Sequence, residues 1–337
     1  MISSKKAKKG LSLLRNKKGL FYIIVSSMII IVLTVIFVAY KEYSYADRQK
    51  VIETRIMTIN DFIKDIDSDS QRAMYISGFR SLIALEDYVA RSGNYLDDSE
   101  ELFRMAFYNG TVNNTQADVL INSSYSEYLE RVKVVAEKIG LSLFINVTQI
   151  TLYHESPWSI VVVATADIEI NDTRGAARWE FSRDYNTSIS IINIRDPVYS
   201  VGTYGRVPNT IRMNDSIDRN DFVDEDNNND TSLLMYFINN SYYIENTLAP
   251  SFLMRLEGNF SPDPNGHGIE SFVYVPFLID QGVDYSTTKS VIDYILFNNI
   301  SGYDSRRCNI DNMPSWFTID TNHSADYEIN KLTSSPC

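Results

Sequence analysis

The spacing of apolar and polar positions changes period several times along the chain. Residues 20–40 (LFYIIVSSMIIIVLTVIFVAY) contain no charge, Gly or Pro, and only Ser26, Ser27 and Thr34 interrupt the apolar run with a hydroxyl. At ~1.5 Å rise per residue this helix would measure about 31 Å, the thickness of a bilayer's hydrocarbon core. Beyond it, Ile52, Ile56, Ile59, Ile63 and Ile66 recur at helical spacing between charged residues. That seam predicts a helix continuing as a long rod to Ile66. Asp67-Ser68-Asp69-Ser70 is expected to break the rod and cap a second helix over residues 71–91, which Gly93 would stop. Asp98 with Glu101, and Ser124 with Glu127, are capping-box patterns for two more helices, closed by Asn109-Gly110 and Gly140.

The period then falls to two. Leu141, Leu143, Ile145 and Val147 predict a strand over residues 141–148, and Ser156-Pro157 a turn. The alternation from Trp158 to Ile170 predicts a second strand over 158–171, and residues 177–194 a third, less regular one. Asn146 and Asn171 fall on the polar faces of their strands. The expected fold class is therefore α+β: a transmembrane helix extended into a rod, helices packed on a three-stranded antiparallel meander, and a smaller C-terminal α+β unit. In that unit residues 232–238 and 249–256 read as helices, and 269–275, 290–297 and 316–319 as strands. The expected divisions are a basic tail (1–19), the span (20–40), a stalk and sheet domain (41–195), a connecting segment (196–230) and the C-terminal unit (231–337). The stretch 214–230 (NDSIDRNDFVDEDNNND) reads as a solvated linker. Its Asp224, Asp226, Asn228 and Asp230 alternate like half a calcium loop, but Asn229 and Met235 stand where such a loop needs Gly and Glu.

Charge gives the span a direction. The tail before it carries Lys5, Lys6, Lys8, Lys9, Arg15, Lys17 and Lys18 with no acid, whereas 43 acids and 24 bases follow it. The basic side stays cytoplasmic, so residues 41–337 are expected outside a plasma membrane that the chain crosses once. Sequons begin at Asn109, Asn113, Asn122, Asn146, Asn171, Asn186, Asn214, Asn229, Asn239, Asn259, Asn299 and Asn322, all beyond the span. Composition alone would place about four or five there, so the excess points to a glycan-bearing surface. Cys308 and Cys337 are the only cysteines. In an oxidising compartment they are able to close a loop of about 30 residues, worth ~3–4 kcal/mol, or the terminal one stays frayed. The acidic outer part argues against a nucleic-acid partner; membrane lipid is the partner that the span requires.

The apolar run is too long for a signal peptide's core, and Lys41 and Glu42 with Tyr40, Tyr43 and Tyr45 follow it instead of small residues. Lys17-Lys18-Gly19 directly before it resembles the class III signal of archaeal type IV pilin-like proteins. The resemblance implies cleavage between Gly19 and Leu20 on the cytoplasmic side, with Lys18, Gly19 and Leu20 as the processing residues. Bacterial pilins carry Glu at the fifth mature position, where this chain has Ile24. The strings SPW (156–158), RDPVYSVGTYGRVPN (195–209), SFLMRLEGNF (251–260), GIESFV (268–273) and MPSWFTID (313–320) together resemble uncharacterised archaeal single-pass surface proteins. That resemblance brings no catalytic residue and no ligand.

The chain contains no G-x-S-x-G, H-E-x-x-H, G-x-x-x-x-G-K-[ST] or G-x-G-x-x-G motif. Of three histidines, His154 and His323 read as surface residues. His267 lies in the loop PDPNGHG (262–268) with Asp263 and Glu270 nearby, so these three are the candidate metal ligands. No residue stands out as catalytic, and no cofactor is implied. The expected function is a non-enzymatic, pilin-like adhesion or envelope component; the isoleucine seam would pack on the protein's own globular part or, as the alternative, join copies through Ile52, Ile56, Ile59 and Ile63. The competing readings are a signal-anchored extracytoplasmic hydrolase and a ligand-binding receptor subunit. The hydrolase predicts a deep pocket lined by groups such as Asp263, His267 or Glu270.

Overall fold

The computed structural model describes residues 17–175, 177–214, 222–224, 229–298, 300 and 307–332. The chain is α+β, with a long N-terminal helix and a three-stranded antiparallel sheet. It divides into two compact units, Met1–Lys64 and Asp65–Cys337, with no division at 196–230. In the first unit the helix α1 (Lys17–Ser92) begins just before the apolar run, whose side chains are open on every side. Ser26, Ser27 and Thr34 donate to the carbonyls of Ile23, Ile24 and Ile30 at 3.0, 2.8 and 2.7 Å. Each hydroxyl is thus satisfied inside the helix, the condition for a polar side chain to face hydrocarbon. This is one helix long and apolar enough to cross a membrane.

The expected break at Asp67–Ser70 does not occur, because those side chains have partners other than a helix end. Asp67 accepts from Arg183 and, at 3.0 Å, from the Tyr185 hydroxyl, and the buried Ser70 lies 3.3 Å from the Tyr128 hydroxyl. The helix therefore runs unbroken to Ser92, where Gly93 (φ +67°) ends it.

In the second unit the last seven turns of α1 place Met74, Leu82, Leu85 and Val89 in the core. At Gly78 the backbone lies so close to the sheet that a Cβ would stand 2.5 Å from Ile189 Cδ1. Helix α2 (Ser99–Asn109) is capped by the Asp98 side chain, and Gly110 at φ +75° closes it. After the two-residue strands β1 (Thr111–Val112) and β2 (Thr115–Gln116) comes α3 (Tyr125–Lys138), opened by a full capping box of Ser124 and Glu127.

Strands β3 (Leu141–Ser156), β4 (Ser159–Asp172) and β5 (Arg178–Ser190) pair in that order. Ile160, Val162, Ala164, Ala166, Ile168 and Ile170 of β4 form the buried inner face. Strand β3 runs eight residues past the expected end because its register shifts between Val147 and Gln149. The shift moves the inward positions from odd to even numbers, so Ile150, Leu152 and His154 pair with Ala164, Val162 and Ile160.

The remaining chain is made of short pieces. They are α4 (Pro197–Gly202), α5 (Ser232–Asn239), β6 (Tyr243–Glu245), α6 (Phe252–Glu257), β7 (Ile269–Ser271), α7 (Val275–Asp280), α8 (Asp293–Phe297), β8 (Arg307–Asn309), β9 (Thr318–Asp320) and α9 (Thr321–Asp326). Strands β6 and β7 pair, as do β8 and β9. Residues 290–297, expected as a strand, instead contain α8, and the strand expected over 269–275 is limited to β7. The linker reading fails at Phe222, which is buried with ring centroids 5.3 Å from Phe237 and 5.7 Å from Tyr327. Residues 215–221 and 225–228 of that stretch lie outside the described residues.

Candidate functional site

Helices of five or six residues and strands of three do not hold themselves together in water. Here they converge on a buried polar centre. Arg255 on α6 is fully buried, and its guanidinium pairs with two carboxylates, Asp196 and Asp293, which are fully buried as well. Arg255 Nη2 donates to both acids, at 2.7 Å to Asp293; Nε donates to Asp196 at 3.2 Å, and Nη1 to the Ile269 carbonyl at 3.0 Å. Asp196 caps α4 through the Val198 N–H at 2.9 Å and accepts from the Tyr243 hydroxyl at 2.6 Å. Asp293 accepts from the backbone and hydroxyl of Ser271 at 3.0 and 2.8 Å. Burial works against the Arg255 charge, but the two carboxylates outweigh it and hold the guanidinium protonated. Burial pushes the Asp293 carboxyl up to about 6, with Arg255 opposing.

The next residue along β7 starts a second half. Glu270 accepts from Asn246 at 3.0 Å, from the Tyr327 hydroxyl, and from His323 Nε2 at 3.2 Å. His323 Nδ1 lies 2.8 Å from both oxygens of Asp320, which also caps α9. Burial would depress the His323 pKa, but Glu270 and Asp320 overcome it and raise it to about 10, so both ring nitrogens donate. The same pairing outweighs burial at Asp320 and holds its carboxyl low. Among the described residues no buried side-chain nitrogen or oxygen lacks a partner.

A general acid or base must come within hydrogen-bond reach of its substrate. These groups are enclosed, and each is already used by its neighbours. Their chemistry in this conformation is cohesion, joining α4, α6, α8, α9, β6 and β7 at one centre.

The proposed metal trio does not assemble. Glu270 belongs to the buried network, while Asp263 accepts the His267 backbone N–H at 2.8 Å. Among the described residues no three His, Cys, Asp or Glu side chains are arranged for a metal. His323 is fully buried, and His154 is half-buried on the inner side of β3. Burial lowers the His154 pKa to about 4; its neutral ring accepts from the Leu253 N–H at 3.4 Å, with Nδ1 3.3 Å from the Ser156 carbonyl.

Eleven of the twelve sequon asparagines are described. Asn109, Asn113, Asn122, Asn146, Asn186, Asn229, Asn239, Asn259 and Asn322 are exposed, and Asn171 and Asn214 half-buried. Asn146, Asn171 and Asn186 share the outer face of the sheet. Asn299 lies outside the described residues. Cys308 is buried and disulfide-bonded; Cys337 lies outside the described residues. Gly19 and Leu20 lie at the start of α1. Along the isoleucine seam, Ile52 and Ile56 are exposed, Ile63 is half-buried and Ile59 is buried.

The buried network was not anticipated, although a signal for it exists. Asp196, Arg255, Glu270 and Asp320 each lie in a different one of the strings at 195–209, 251–260, 268–273 and 313–320. In each string the charge that the core takes up stands directly beside apolar residues, as in Phe252-Leu253-Met254-Arg255-Leu256 and Ile269-Glu270.

Comparison with protein-family models, curated proteins and solved structures finds no match to this chain.

Proposed function

We propose that this chain is a membrane-anchored, N-glycosylated surface protein, its bulk outside the cell, serving as a non-enzymatic, pilin-like adhesion or envelope component. The observation that carries this reading is a division of the surface. The apolar run of α1 has its side chains uncovered and its hydroxyls self-satisfied, whereas none of the eleven described sequon asparagines is buried. An uncovered apolar run of this length calls for lipid, and a glycan calls for an open attachment point.

The pilin-like component of the reading is supported by the Lys18-Gly19 signal and by a long N-terminal helix with an antiparallel sheet. Self-association would use the seam at Ile52 and Ile56, which are 44% and 42% exposed. The enclosed state of Glu270 weighs against the hydrolase reading, which needed that group open to substrate. N-terminal sequencing of the mature protein tests the pilin-like claim. A start at Leu20 supports class III processing; a start at Met1 or Ile2 removes it. Glycopeptide mass spectrometry tests the surface claim, which fails if every exposed sequon is unmodified in the native host.

A further inference from the structure

A cavity of about 280 Å³ opens between α1 and α3 and is lined by Asp69, Arg72, Ile76, Arg80, Tyr128 and Arg131 among others. Arg72, Ile76 and Arg80 follow at helical spacing on one stripe of α1, while Tyr128 and Arg131 face them from α3. In a chain with twelve more acids than bases, surface arginines have abundant carboxylates to pair with. Here three guanidiniums surround one concavity and a single carboxylate, Asp69, lines it. Among the described residues none of the three makes an ion pair. Their nearest fixed contacts are weak: Arg80 to the Val119 carbonyl and Arg131 to the Asn122 carbonyl, both at 3.4 Å. Of the acids on α3, Glu127 is hydrogen-bonded to the Ser124 cap and feels the Arg131 charge without a direct ion pair, and Glu130 pairs with Lys133.

Planar guanidinium forks match carboxylate, sulfate and phosphate groups. Ile76 and the Tyr128 ring add an apolar floor of the kind on which a sugar ring rests, and the volume suits one or two sugar units. We propose that this cavity is a binding site for an acidic saccharide. The anionic group is held among Arg72, Arg80 and Arg131, and the ring lies against Ile76 and Tyr128. Asn122, a sequon asparagine, lines the same cavity, so the saccharide has two possible sources. One is a free or neighbouring polysaccharide; the other is the acidic end of a glycan on Asn122 itself.

The test is calorimetric titration of the full chain in detergent with digalacturonate, its neutral methyl ester and inorganic sulfate. The site predicts digalacturonate binding that weakens with added salt, and at least tenfold weaker binding of the ester. Arg72→Gln with Arg131→Gln should lower affinity at least tenfold, whereas Lys138→Ala, an exposed charge on the same helix outside the cavity, should leave it unchanged. Arg72, Arg131, Lys138 and Asn122 are all exposed, and circular dichroism confirms that the variants fold. The sources separate with Asn122→Gln, the one arm that rests on the glycosylation reading. Binding that appears only in that variant means the native glycan fills the cavity; equal binding means a free saccharide does. No binding by either the full chain or Asn122→Gln, equal affinity for acid and ester, sulfate displacing digalacturonate at equal affinity, or indifference to the arginine substitutions in the form that binds would overturn the proposal.

Discussion

Replacing Arg255 by Met keeps most of the side chain's volume and removes the charge that two buried carboxylates share. Asp196 would retain the Val198 N–H and the Tyr243 hydroxyl, and Asp293 the Ser271 N–H and hydroxyl and the Tyr294 N–H. Hydrogen bonds would remain, but two anions would share a dry site with no cation. Breaking a buried pair costs ~3–5 kcal/mol, and the surviving donors place Arg255→Met near the middle, at about 4 kcal/mol. Urea unfolding of the full chain in detergent, followed by tryptophan fluorescence and circular dichroism, reads the loss as a lower midpoint at unchanged slope. Two companion measurements separate charge from packing. Adding Asp196→Asn and Asp293→Asn should recover more than half of the loss, because no net charge is then left buried. Lowering the pH from 7 to 5 should narrow the gap to wild type as a carboxylate takes up a proton. A loss under ~1 kcal/mol, or a triple variant no more stable than the single one, would refute the role given to this ion cluster.

The other expectations come from the same region. The His323 pKa is raised from about 6.5 to about 10, so its contribution to stability is complete below pH 6.5 and fades as pH rises through 10. Wild type should lose up to about 1.4 kcal/mol per pH unit between pH 7 and 10, and His323→Gln should lack that slope in the same unfolding assay. Gly268→Ala would set a Cβ 2.1 Å from the Ala249 carbonyl oxygen and 2.3 Å from that of Asn246, so backbone must move. The expected cost is about 3 kcal/mol; a midpoint within error of wild type would contradict that packing. Asp98→Ala should cost about 1 kcal/mol through loss of the cap on the Glu101 N–H at 2.8 Å.

Among the described residues up to 190, local signals along the chain predict most elements, since helices and long strands advertise themselves by period. The caps at Asp98 and Ser124 and the stops at Gly93 and Gly110 occur where their residue types predict them. Two misreadings there have local causes. Asp67–Ser70 has the composition of a break, yet its side chains bind residues more than 50 positions away, which no window can contain. Strand β3 fades from view at Thr148 because one register shift reverses the parity of its inward residues. After Arg195 the elements are too short to repeat a period more than about twice, and they are held by contacts distant in sequence, in an apolar core and in the Arg255 and His323 networks. The two carboxylates lie 38 and 59 residues from Arg255, and Glu270 lies 53 residues from His323. His323 illustrates the limit: Asp320 is three residues away and local, but only the fold brings Glu270 to the other ring nitrogen and buries the pair.

The central claim is that α1 crosses the membrane once and leaves the acidic, sequon-bearing chain outside. Protease treatment of intact cells producing the full chain with tags at both ends addresses it directly. The account predicts loss of the C-terminal tag while the cytoplasmic N-terminal tag is retained on a membrane-embedded fragment; where Gly19 is cleaved, that fragment begins at Leu20 and lacks the tag. Protection of the C-terminal tag in intact cells, with its loss only after lysis, would contradict it.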